Sequence, residues 1–198
     1  MSLPLLDISQ LKGFLIPPFS RNNNLWMTDL ERTMVIALLM YTKAETVVEI
    51  GVQEGYLAFD VLKHLPQINH YYGVDLTPGS VSHLAIESQQ GEIPGDKVGR
   101  LVAADSRFRV IVRERGSLDI MIGDLPDCEA AIIDGDHSAI AVRHDTELAT
   151  AAVESGGVIM WHDYGNIYCG VTEVLDELAE SGRDIRLIEN TNLAVELR

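Results

Sequence analysis

Apolar residues cluster along this chain in short runs that alternate with longer amphipathic stretches. The sharpest run is Val47-Val48-Glu49-Ile50, which breaks at Gly51 and reaches a second glycine at Gly55. β-branched residues around one acid, then two glycines and a helix-like segment over 54–65, predict a buried parallel strand, a tight turn and a crossover helix. Glycine suits such a turn because it tolerates positive φ and, lacking Cβ, lets a ligand approach the backbone. A second run, Tyr71-Tyr72-Gly73-Val74, ends in Asp75. That is where a dinucleotide or nucleoside fold places its ribose-binding acid.

Strand-like runs occupy 46–50, 70–75, 98–103, 130–134 and 157–161, and helix-like segments occupy 54–65, 78–90, 138–153 and 171–181. Residues 107–114 read as a further helix and 116–127 as a connecting loop. Ahead of the first strand, Thr28-Asp29-Leu30-Glu31 has the capping-box pattern and opens a helix over 29–43. At the end, 185–189 and 193–197 flank the turn Asn190-Thr191-Asn192, so the last strand runs antiparallel to its neighbour. The expected architecture is α/β: a Rossmann-like, doubly wound, seven-stranded sheet, mostly parallel with an antiparallel C-terminal strand. Residues 28–198 form its single domain. Residues 1–27, with Pro4, Pro17-Pro18 and Asn22-Asn23-Asn24 between apolar residues, form an irregular arm, either a lid or a partly ordered tail.

Composition narrows the function classes. Hydrophobic residues at 46% and charged residues at 23% are those of a globular protein, and the longest apolar run falls short of the ~20 residues of a membrane span. No basic, apolar leader opens the chain, so a cytoplasmic protein is expected. Fifteen Lys and Arg against 30 Asp and Glu give a net charge of −15. That charge opposes binding to nucleic acid or anionic lipid and leaves a small molecule as the expected partner. Cys128 and Cys169 lack metal-site spacing and receive no role.

Two later stretches carry candidate chemistry. The first is Ile132-Ile133-Asp134-Gly135-Asp136-His137-Ser138; the second is Gly156-Gly157-Val158-Ile159-Met160-Trp161-His162-Asp163-Tyr164. Together with Glu49-x-Gly51-x-x-x-Gly55, Asp75 and the terminal hairpin, they resemble the class I S-adenosylmethionine-dependent methyltransferases. The closer likeness is to the small-molecule O-methyltransferase branch of the macrolide-sugar and catechol enzymes. The resemblance implies that Gly51 and Gly55 pack against the amino-acid end and ribose of S-adenosylmethionine, that Glu49 orients this turn, and that Asp75 accepts the ribose hydroxyls. It further implies that Asp105 and Ser106, placed after the third strand, lie by the adenine.

On the acceptor side, the resemblance implies that Asp134 and Asp163, with His162, hold Mg2+ or another divalent metal. Magnesium-binding relatives have two acids, or acid and amide, where this chain has His162-Asp163, and imidazole suits transition metals better. Asp134 and Asp136 could equally cap the helix that follows Ser138. A lysine acts as general base in several such relatives; His137 stands at the equivalent place, and no lysine follows Lys97. His137 is therefore the expected catalytic base, acting with Asp134, and His162 is a second candidate. His144, Asp145 and Glu147 read as a solvated helix face, and Tyr164, Asn166 and Tyr168 as acceptor-pocket or capping residues.

Rival readings are an NAD-dependent oxidoreductase, a non-catalytic cofactor-binding module, and aminopropyl transfer on the same fold. The compact Gly-x-Gly-x-x-Gly of the first is absent. Dimerisation through the apolar residues of the arm is a further expectation.

Overall fold

The computed structural model describes residues 3–15, 26–77 and 97–198. The expected helix over 78–90 and the arm residues 16–25 lie outside the described residues. Among the described residues, four α-helices are α1 (Asp29–Tyr41), α2 (Tyr56–His64), α3 (Ala139–Ala152) and α4 (Val171–Glu180). Seven strands are β1 (Thr46–Ile50), β2 (His70–Leu76), β3 (Phe108–Arg113), β4 (Cys128–Ile133), β5 (Val153–Trp161), β6 (Arg186–Leu187) and β7 (Ala194–Leu197). They form one sheet in the order β3-β2-β1-β4-β5-β7-β6, with β7 antiparallel to both of its neighbours. This is the seven-stranded sheet with an antiparallel last strand that the hydrophobic pattern predicts.

Alternation along the central strands divides the core. Val47, Ile132, Val158, Met160 and Val195 face α1 and α2. Val48, Ile50, Ala131, Ile133, Ile159 and Trp161 face α3 and α4. Both faces are covered, which is why the strands read as near-continuous apolar runs. Strand order reverses between β1 and β4, and ligands in open α/β sheets bind beyond the carboxyl ends at such a point. Among the described residues no helix is long and apolar enough to cross a membrane.

The capping box forms as expected: Thr28 Oγ1 accepts from Glu31 N at 3.3 Å, and Thr28 N donates to Glu31 Oε2 at 2.8 Å. Burial of an ion pair fixes α1 against α2. Arg32 is 1% exposed and Asp60 0%, and they meet at 3.0 Å; Asp29 also pairs with Arg32.

Two expectations about the third strand fail. Residues 107–114, read as helix, form β3, and 98–103, read as the third strand, form turns. Three consecutive β-branched residues, Val110-Ile111-Val112, favour extended backbone. Gly99 breaks the earlier run by taking φ +65°, and Phe108 packs so closely that a Cβ there would lie 2.6 Å from its ring. The arm is also not irregular over 3–15. Leu6 N donates to Leu187 O and Leu187 N to Pro4 O, adding a parallel bridge beside β6. A 3-10 helix over Ile8–Phe14 then rests on α1, with Leu11 buried and Tyr41 donating to Gln10.

Candidate active site

The β1 turn and the end of β4 are in direct backbone contact. Gly51 takes φ +94°, and a Cβ there would stand 2.0 Å from the carbonyl oxygen of Asp134. Glycine is thus required here by the backbone that follows β4. Gly55 takes φ +86° and opens α2.

Glu49 lies inside the fold, where its Oε2 accepts from the Tyr71 hydroxyl at 2.8 Å. Burial, with the charges of Asp134 and Asp75 adding, pushes its carboxyl up to about 8. The native state therefore holds a proton that the unfolded chain releases above about 4.5, and stability falls as pH rises from there towards 8. Glu49→Gln removes this loss. Its melting temperature should exceed that of the wild type at pH ~8 and approach it at pH ~5; parallel melting curves across that range would contradict the assignment.

Asp75 is the penultimate residue of β2, with its carboxylate aimed at the same turn. Gln53 N donates to Oδ2 at 2.6 Å and Leu76 N to Oδ1 at 2.7 Å. Burial pushes its carboxyl up, and the two backbone donors oppose this. Each oxygen keeps a lone pair for a hydroxyl donor.

The shift of the third strand relocates Asp105 and Ser106. They precede β3, so they lie at the amino end of the sheet, away from the crevice. Asp105 is paired with Arg107 at 2.7 Å, and Arg107 donates to the carbonyl of Leu62 at the far end of α2. The expected placement by the adenine is not met. The residues at the carboxyl end of β3 are Glu114 to Ser117, a stretch without a signal of its own in the sequence. Gly116 takes φ +60° against Leu76, and a short 3-10 helix, Gly116–Asp119, follows. His144 Nε2 faces the carbonyls of Ser117 and Ile120 at 3.0 and 3.1 Å and pins this turn. Asp145 is fully buried. Burial, with Asp136 adding and Ser117 opposing, pushes its carboxyl up to about 7. His144 and Asp145 are thus not a solvated face; only Glu147 of that trio is exposed.

On the acceptor side the structure gathers Asp134, His137, His162 and Asp163. His137 Nε2 stands 3.3 Å from Asp134 Oδ1 and 3.1 Å from Asp163 Oδ2. His162 Nδ1 stands 3.1 Å from Asp134 Oδ1 and 3.6 Å from Asp163 Oδ2, while its Nε2 faces Glu31 Oε2 at 3.5 Å. Asn166 Nδ2 donates to the other oxygen of Asp163. Neither acid of the β4 loop caps α3: Ser138 is its N-cap, with Oγ accepting from Ala141 N at 3.3 Å, and Asp136 accepts from Ser138 N at 2.9 Å in the turn before it. Asp134 is left for the cluster. The β5–α4 loop clamps this turn, with Gly170 N donating to His137 O. Tyr164 is structural: its hydroxyl accepts from Leu3 N and donates to Asp176.

Electrostatics follow the geometry. Burial would lower the pKa of His162, but Asp134, Asp163 and Glu31 outweigh it and hold the ring well above the usual histidine range. His137 is raised too, with Asp134 and Asp163 overcoming burial. Burial would raise Glu31, yet His162, Asn192 N and Thr28 N bring it down to about 2. Glu31 belongs to this site, and sequence reasoning misses it because its capping-box role explains it fully.

Candidate ligand atoms of Asp134, His162 and Asp163 lie within 4.8 Å of one another, as do those of His137, Asp163 and Cys169. Magnesium takes oxygen donors in near-octahedral geometry. Here two of the four groups facing the space present imidazole nitrogen, and each inward carboxylate oxygen already faces one. This donor set does not fit Mg2+.

A family model described as a methyltransferase domain matches residues 48–164. No curated protein sequence matches the chain. Among solved structures, the S-adenosylhomocysteine-bound methyltransferase PaMTH1 of Podospora anserina superposes with TM-score 0.65 at 11% identity, over 91% of this chain and 82% of that one. TomG, an O-methyltransferase of tomaymycin synthesis from Streptomyces achromogenes solved with SAM, gives 0.61 at 13% identity, over 88% and 82%. An O-methyltransferase from Bacillus cereus in complex with SAH gives 0.58 at 15% identity, over 86% and 82%. At these identities the likeness is one of fold.

Proposed function

The chain belongs to the methyltransferase-domain family, and from that premise we propose that it transfers a methyl group from S-adenosylmethionine to an oxygen of a small-molecule acceptor. The observation that carries the reading is the contact between Gly51 and Asp134. The turn that would hold the donor touches the residue that anchors the acid–imidazole cluster, so donor and acceptor meet at the junction of β1 and β4. Methyl transfer needs chiefly alignment, since the acceptor oxygen attacks the methyl carbon in line with the breaking carbon–sulfur bond. A carbon–oxygen bond forms, S-adenosylhomocysteine leaves, and the acceptor's proton must go to the protein.

His137 receives that proton. Its Nε2 sits between two carboxylates, so the imidazolium formed there is stabilised as it forms. Asp75 takes the ribose hydroxyls through the lone pairs its backbone partners leave, and the Glu114–Ser117 turn takes the adenine in place of Asp105 and Ser106. The formal charge of −15 supports a small, non-phosphate acceptor. The test is incubation with methyl-labelled S-adenosylmethionine and a panel of phenols, catechols and sugars, read by mass spectrometry. A labelled methyl ether is expected. Label on nitrogen alone, or hydride transfer from a nicotinamide cofactor instead, would overturn the proposal.

A further inference from the structure

The misfit to magnesium has a specific cause, the ring of His162. It is 4% exposed and meets oxygen acceptors at both nitrogens, Asp134 and Asp163 at Nδ1 and Glu31 at Nε2. A lone pair on Nδ1 would point at two carboxylates. A metal-bound histidine must be neutral and offer that lone pair. Glu31 cannot turn away to release the ring. Its Oε2 accepts from Thr28 N and Thr28 Oγ1, each at 2.8 Å, and its Oε1 accepts from Asn192 N at 2.8 Å. The capping box of α1 thus fixes the acceptor for Nε2, while the ends of β4 and β5 fix those for Nδ1.

We propose that His162, as a buried imidazolium held by Glu31, Asp134 and Asp163, takes the place of a divalent cation, so that methyl transfer proceeds without a resident metal. The ring supplies one fixed positive charge beside the oxygen that loses its proton. It also neutralises acids that would otherwise be buried together at high cost. Glu31 acts through the ring and is a positioning residue.

The mechanistic half rests on the methyl-transfer reading; the metal-binding half does not, and the test separates them. Wild-type protein and His162→Asp are titrated calorimetrically with MgCl2, MnCl2 and ZnCl2 in turn. The wild type should show no saturable binding up to ~1 mM, the weak end of the range for protein-bound hard cations. His162→Asp, which restores a pair of adjacent acids, should bind Mg2+ or Mn2+ at least about tenfold more tightly. His162→Asn replaces it if circular dichroism shows that the aspartate variant is unfolded. Saturable wild-type binding of any of the three ions, lost in Asp134→Asn, would overturn the proposal. So would failure of the folded variant to bind, because the imidazolium would then not be what excludes the ion. Turnover in EDTA should equal turnover in buffer; a tenfold loss restored by metal would also overturn it. If no turnover is found in either buffer, methyl transfer fails while the titrations still decide the metal.

Discussion

Replacing His137 with alanine lowers kcat by about 10²–10⁴-fold, the usual worth of a positioned general base, and leaves cofactor affinity unchanged. The residue lies in the β4–α3 loop, whose backbone at Asp134 and Gly135 abuts Gly51. Steady-state kinetics and S-adenosylhomocysteine titration on the same preparation separate the two effects. The pH profile gives a second signature. Asp134 and Asp163 raise His137 above its ordinary value, so the wild-type rate climbs as pH rises through that raised pKa and the ring becomes able to accept a proton. Asp163→Asn removes one of the two carboxylates and moves this limb to lower pH. An unmoved limb would assign the proton to another group, and a lost cofactor affinity in His137→Ala would make the residue structural.

Asp60→Ala should cost about 3–5 kcal/mol of unfolding free energy, because it leaves the guanidinium of Arg32 buried without its interior partner. Asp60 is fully buried and Arg32 nearly so, and the pair ties α1 to α2. Asp29 holds the other side of the guanidinium but is largely exposed, and exposed pairs contribute little. Chemical denaturation of Asp60→Ala against the double variant Arg32→Met/Asp60→Leu checks the mechanism. The double variant should recover much of the loss, since it buries no charge. Equal losses would place the cost in packing.

Strands β1, β2, β4 and β5 are legible in the sequence because they are covered on both faces, and such strands are written as near-continuous apolar runs. The capping box at Thr28 and the terminal hairpin are local signals that need no tertiary context. β3 escapes the pattern because an edge strand is half-exposed, and its alternation of Arg with Val and Ile imitates a helix face. That one displacement carries Asp105 and Ser106 to the other end of the sheet and hides the Glu114–Ser117 turn. With Val110-Ile111-Val112 taken as a strand, Gly116-Ser117 stands out as the turn that follows it. Asp145 eludes sequence reasoning for another reason: nothing local tells a buried acid from an exposed one on a helix where its neighbours His144, Thr146 and Glu147 are polar too. The role of Glu31 is out of reach, since it depends on the end of β5 arriving beside the start of α1.

The most direct test of cofactor binding at the β1–β2 end of the sheet is calorimetric titration of S-adenosylmethionine and S-adenosylhomocysteine into the wild type and Asp75→Ala. Both ligands should bind the wild type near the micromolar range, about 8 kcal/mol, and Asp75→Ala should lose that binding while keeping its fold. Wild-type protein that binds neither ligand but takes up a nicotinamide dinucleotide would contradict the cofactor, and with it the roles of His137, Asp134, His162 and Asp163.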